Sequence, residues 1–181
     1  MEEHASEAVK SLHAHEFMLV STDGVFNQIL SFDYHDPAGF YHSLLKDEER
    51  YYMEMSRLIW NMQSLLDDEV VKVNGENCRP EVLTATLDFR GSENLPCITF
   101  FIQFKTNLKA GTNVYECFYE EEVTEYDYEV YWVFPLGAKI IDVDVRTEKD
   151  LVAENVLILW ARAGDNIGCY ERVVFNIPAT S

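Results

Sequence analysis

The sequence predicts an α+β, mostly-β fold: an antiparallel β-sandwich or strongly curled sheet with one long helix or a helical pair, about residues 37–67, packed on it. Three observations carry this. Apolar residues recur at helical spacing before Pro80, and from Val82 to Ile177 they alternate with polar ones in strand-like runs. Those runs follow one another through short turns rich in Gly, Asn and Pro, with no crossover helix between them. The chain has 181 residues, 48% hydrophobic and 25% charged, which suits a single domain that buries a core without metal or disulfide staples. The expected division is an N-terminal helix and hairpin over 1–36, a helical layer over 37–68 and antiparallel strands over 69–178.

Taken in order, Ala5, Val9 and Leu12 fall on one side of a helix and predict a short amphipathic start. Glu16 to Val20 and Val25 to Tyr34 flank Asp23-Gly24, a favoured two-residue hairpin turn that sets Phe17 near Leu30 and Ser21 near Phe26. Asp36-Pro37 reads as a helix start, with Asp36 capping free N–H groups and Pro37 in the first turn. Tyr41, Leu45, Tyr52, Met55, Ile59, Met62 and Leu66 then form an apolar stripe wide enough to cover a sheet. Strong helix formers in Lys46 to Arg50 favour one continuous helix over a bend. Val70 to Val73 is a short strand, Asn74-Gly75 a turn and Asn77 to Pro80 a loop.

Beyond Pro80 the strands alternate plainly: Leu83, Ala85, Leu87 and Phe89; Ile98, Phe100, Ile102 and Phe104; Ile141, Val143 and Val145. A hairpin over Asn107 to Thr112 would lay Phe104, Ile102 and Phe100 beside Tyr115, Cys117 and Tyr119. A reversal at Thr124-Glu125 would bring in Trp132, and a last hairpin from Val156 to Ile177 would set Trp160 near Cys169. Phe100, Ile102, Phe104, Tyr119, Trp132 and Val143 are expected in the core.

Composition excludes more functions than it suggests. The net charge of −18, from 32 acidic against 14 Lys and Arg residues, repels phosphate backbones, so no nucleic-acid partner is expected. No segment has the apolar length of a membrane span and the acidic start does not read as a signal peptide, so no membrane insertion is expected and a cytoplasmic location is favoured. Cys78, Cys97, Cys117 and Cys169 are scattered without a C-x-x-C pair, a spacing that fits buried free thiols in a reducing compartment at least as well as disulfides. Dinucleotide, P-loop, nucleophile-elbow and zincin signatures are missing, and Gly164 to Gly168 is a turn between strands, not a phosphate loop. No cofactor is expected.

Three groupings have chemical potential. Asp33, His35, Asp36 and His42 form the densest set of metal-ligand types. Asp142 with Asp144, or Glu171 with Asp88, would be acid–base pairs, although alternation puts each on an outward strand face. The third is an acidic and aromatic ribbon without a Lys or Arg: Glu120, Glu121, Glu122, Glu125, Tyr126, Asp127, Tyr128 and Glu129. Its charge and its tyrosines suit a basic protein partner or a cation. The expectation is a non-catalytic binding protein using that surface, self-association remaining open. The alternative is a small-molecule-binding or hydrolytic domain with a pocket between helix and sheet.

Overall fold

The computed structural model describes residues 9–179. Its strands are β1 (Lys10–Val20), β2 (Val25–His35), β3 (Val70–Val73), β4 (Glu76–Cys78), β5 (Glu81–Phe89), β6 (Pro96–Lys105) and β7 (Gly111–Phe118). They continue as β8 (Glu122–Val123), β9 (Asp127–Val133), β10 (Lys139–Asp144), β11 (Glu148–Ala153), β12 (Val156–Ala161), β13 (Asn166–Ile167) and β14 (Tyr170–Ile177). Helices α1 (Phe40–Leu44) and α2 (Glu48–Asp68) lie between β2 and β3. A seven-stranded sheet runs β11-β12-β9-β1-β2-β6-β5, a five-stranded sheet runs β10-β14-β7-β3-β4, and β8 pairs with β13. The architecture is the expected mostly-β sandwich with a helical layer.

The large sheet buries one face in two halves. Met18, Val20, Phe26, Phe104, Trp132, Phe134, Leu157 and Leu159 pack against Val71, Val73, Tyr115, Val173, Phe175 and Ile177 of the small sheet. Further along, Ile98, Phe100 and Ile102 of β6 meet Tyr41, Leu44, Met62 and Leu66 of the helices. Full burial of a side chain of this size contributes about 1.5–3 kcal/mol, so these two clusters hold sheets and helices together. Phe100, Ile102, Phe104 and Trp132 are buried as expected, while Tyr119 and Val143 are only partly so. No helix of the described residues is long and apolar enough to cross a membrane.

Several local expectations give way. Ala5 lies outside the described residues, and Leu12 belongs to β1, not to a helix. The first hairpin closes through three residues: Ser21 N–H donates to the Val25 carbonyl and Gly24, at φ 83°, donates to that of Ser21. Phe17 therefore opposes Ile29 and Glu16 opposes Leu30, one residue from the two-residue-turn register. Gly24 is obligatory there, since a Cβ would sit 1.9 Å from the Thr106 carbonyl oxygen.

The helical layer is two helices. Asp47, extended at φ −143°, accepts the Arg50 N–H at 3.1 Å and caps α2, with Glu48 and Glu49 in its first turn, so capping outweighs the helix propensity of Lys46 to Arg50. α1 starts only at Phe40, after Gly39, and Pro37 lies before it; Asp36 still satisfies a helix donor, accepting the Tyr41 N–H at 2.8 Å. Asn74 and Gly75 both take positive φ, as their turn requires, but Asn77 and Cys78 pair in β4. Bulges at Val82/Thr84 and Ile140/Asp142 interrupt two alternations and leave Leu83 and Ile141 on the outside.

The expected late hairpins are crossovers between sheets. β6 and β12 lie in the large sheet, while β7 and β14 lie in the small one, and β9 runs parallel to β1 instead of turning back on β7. Alternation fixes the face a side chain takes, not its neighbouring strand: Phe104 and Tyr115 share one core across the sandwich, not side by side. The β6–β7 crossover is tied by Asn113, fully buried. Its amide donates to the Lys109 and Gly111 carbonyls, at 2.8 and 3.0 Å, and its Oδ1 accepts from Lys109 N–H and Asn74 Nδ2.

Candidate functional site

The metal-type residues are engaged separately. Asp33 pairs with Arg90 at 3.1 Å, His35 is exposed at the end of β2, Asp36 binds backbone, and His42 Nε2 is 3.5 Å from Glu93. Among the described residues no three His, Cys, Asp or Glu side chains gather to hold a metal ion.

The acidic ribbon divides in two. Glu120, Glu121, Glu122 and Glu125 are exposed, and arginines distant in sequence reach two of its acids: Arg146 pairs with Glu121, and Arg162 donates to Asp127 at 2.7 Å. Glu129 accepts the Tyr131 hydroxyl at 3.1 Å and pairs across the sheet with His15. Tyr126 packs edge-on against Phe32, and Tyr128 aligns with Ala14 on the inward face of the large sheet. These two tyrosines line a cavity that is partly open to solvent.

That cavity, of about 240 Å³, lies between the two sheets. One wall is the inward face of β1 and β9, where the register places Glu16 beside Val130 and Met18 beside Trp132. The opposite wall is β7 and β14, with Tyr115, Cys117 and, directly across from Cys117, Glu171. Glu69, at the junction of α2 and β3, adds a third carboxyl, and the exposed Glu122 stands at the edge. The hydroxyl of Tyr119 donates to Glu171 Oε1 at 3.3 Å, and the Cys117 thiol to Glu69 Oε2 at 3.7 Å. Tyr115 and Trp132 meet edge to face with centroids 4.7 Å apart. No Lys or Arg lines the cavity among the described residues, and the indole N–H of Trp132, 2% exposed, has no partner.

Electrostatics follow from that lining. Burial between the sheets, reinforced by Glu171, pushes the Glu16 carboxyl up to about 8, a shift partly offset by Gln28. Burial likewise raises Glu171 to about 7, against a lowering hydrogen bond from Tyr119, and raises Glu69. The Cys117 thiol and the phenols of Tyr115, Tyr119 and Tyr128 are pushed up by burial first and by nearby acidic groups second, so all four stay protonated at neutral pH. A thiol held in that state is a poor nucleophile. An acid–base pair needs environments that push two pKa values apart, whereas both deep carboxyls move upward. The arrangement suits binding.

No family model matches the chain, and no curated protein matches it. Among solved structures, a putative protease from Parabacteroides distasonis aligns at 9% identity over 95% of this chain and 41% of its own, with a TM-score of 0.35. The acetylcholine-binding protein of Bulinus truncatus aligns at 9% identity over 91% of this chain and 87% of its own, with a TM-score of 0.22. This chain thus spans less than half the length of the first of them, and both likenesses are too slight to carry a fold or an activity across.

The sequence singles out neither Glu16 nor Glu69, and it pairs Glu171 with Asp88 as an acid–base candidate on an outward strand face. Asp88 is exposed, whereas Glu171 lies on the inward face with Val173 and Phe175. Asp142 is bound by Arg172 at 2.7 Å and Asp144 is exposed. A signal was present: Glu16 interrupts the apolar series Ala14, Met18, Val20, and Glu171 begins the series Val173, Phe175, Ile177.

Proposed function

We propose that this protein is a small-molecule-binding module whose site is the cavity between its two sheets. The observation that carries this reading is a cavity of about 240 Å³ lined by glutamates, Glu16, Glu69 and Glu171 the most deeply set of them, and by phenols, where a sandwich would otherwise close on apolar side chains. Buried ionisable groups oppose folding unless they are paired, so their retention in a core points to a task other than stability. The site differs from a pocket between helix and sheet, although Leu66 of α2 contributes to its lining. A docking surface for a basic protein on the ribbon has less support, because Arg146 and Arg162 already neutralise Glu121 and Asp127.

Ligand-observed NMR with a panel of small polar and aromatic compounds tests the reading on wild type and on Val130→Phe, which places a ring in the cavity. Binding by wild type that the filled, folded variant loses supports it. Equal binding by both proteins, or none by wild type, overturns it.

A further inference from the structure

We infer that the ligand of this cavity is a compact organic ammonium ion bearing a hydrogen-bond acceptor, its charge met by Glu16 and Glu171 and its hydrocarbon part by Tyr115, Tyr128 and Trp132. The inference rests on the cavity being a ligand site and names the chemistry that site accepts.

Charge decides the sign. Glu16 on β1, Glu171 on β14 and Glu69 at the end of α2 reach the cavity from different elements, Glu122 and Glu129 also belong to its lining, and no Lys or Arg answers them among the residues that line it. Once ionised, these carboxyls would repel an anionic ligand, while a neutral ligand would leave them protonated and give their charged form no partner. A cation supplies the missing partner.

The walls decide between a metal and an organic cation. The carboxyls do not gather into a metal-binding group, and the surfaces between them are aromatic. Aromatic faces attract ammonium groups through their quadrupoles, and the attraction grows when water is excluded. Volume agrees: about 240 Å³ is far more than a bare ion needs and suits a small amine.

A separate observation points to the acceptor. Trp132 lines the cavity with its side chain almost wholly removed from solvent, yet its indole N–H has no partner. A buried donor of this kind is ordinarily satisfied. The hydroxyl or ether oxygen of a bound amino alcohol would satisfy it while the ammonium lies against the carboxyls.

The test uses the full chain and four probes: choline and 2-aminoethanol as charged amino alcohols, 3,3-dimethylbutan-1-ol as an uncharged isostere of choline, and propionate as an anion. Isothermal titration at pH 8 is expected to show the amino alcohols binding at least about tenfold more tightly than the neutral isostere, with propionate not bound. Glu16→Gln and Glu171→Gln, near-isosteric and expected to fold by circular dichroism, should each weaken amino-alcohol binding about tenfold or more, as loss of a charged hydrogen bond does. They should leave the isostere unaffected. An isostere that binds as well as choline and is lost in Val130→Phe would overturn the ammonium inference while the cavity reading stands. Unchanged choline binding by both Gln variants would overturn it as well. Silence from every probe together with the compound panel would overturn both.

Discussion

Glu16 of β1 and Glu171 of β14 approach one cavity from opposite sheets, and Glu171 is, after burial itself, the strongest influence raising the Glu16 carboxyl. Both are surrounded by protein, yet both keep part of their surface open because it faces the void. Two acids in this relation cannot ionise together without cost, so the empty site holds protons at neutral pH that it would otherwise release.

The first prediction concerns pH and stability. An unfolded Glu titrates near 4.3, whereas Glu16 titrates at about 8 in the fold, so between those values the folded state holds a proton that the unfolded chain has lost. The stability linked to this group is fully present below pH 4, declines as pH rises, and is lost once pH passes about 8. Glu16→Gln removes the titration. Thermal unfolding by circular dichroism should show equal melting temperatures for wild type and variant at pH 4 and a variant increasingly more stable from pH 6 to pH 8.5. A difference independent of pH would show that Glu16 is not held protonated by the fold.

Proton release on binding is the second prediction. A cation favours the ionised carboxyls, so an ammonium ligand entering at pH 7 should expel protons from Glu16 and Glu171, and affinity should rise from pH 6 to pH 8. Calorimetric titrations of choline in buffers of different ionisation enthalpy measure the protons directly. Heats that do not depend on the buffer would contradict this linkage.

Much of the fold is legible in the sequence because alternation and helical spacing report burial, and burial is what sandwiches and helices share. Ile98, Phe100, Ile102 and Phe104 could be assigned to a buried face at sight, and Asn74-Gly75 to its turn. Which strand lies beside which is another matter. Phe104 and Tyr115 alternate identically whether a hairpin or a crossover joins them, and the fully buried Asn113 that ties the crossover is one more polar residue until its partners are known. The site was illegible for a related reason. Glu171 reads as a polar interruption on a strand until the opposing sheet places Glu16 across from it, and the charge that looks unrelieved along Glu121 to Asp127 is relieved by Arg146 and Arg162 from remote loops.

The third prediction addresses the break between the helices. Asp47 accepts the Arg50 N–H at the start of α2, so Asp47→Ala should destabilise the protein by about 1 kcal/mol, the usual worth of such a cap. Asp47→Ser should recover most of it. Urea unfolding of the three proteins measures the ranking, and an Ala variant as stable as wild type would show that the helix start is set by packing alone.

The last prediction concerns Asn113, where local chemistry fixes global topology. Its side chain closes the crossover from the large sheet to the small one by binding both polar groups of Lys109, the Gly111 carbonyl and Asn74. Asn113→Ala would leave several of these groups without partners in a buried place, each at a cost of about 1–3 kcal/mol, so the loss should exceed that of an ordinary hydrogen bond. Asn113→Asp is the sharper variant: it keeps size and acceptors but loses both donors, and sets an unneutralised charge in the core. Both should lower the denaturant midpoint, the Asp variant more strongly at pH 8 than at pH 4. Because Tyr115 and Cys117 follow on the same strand, loosening this crossover should also weaken any ligand bound between the sheets. Full stability in the Ala variant would mean that the crossover is held by its flanking strands and that Asn113 only fills space.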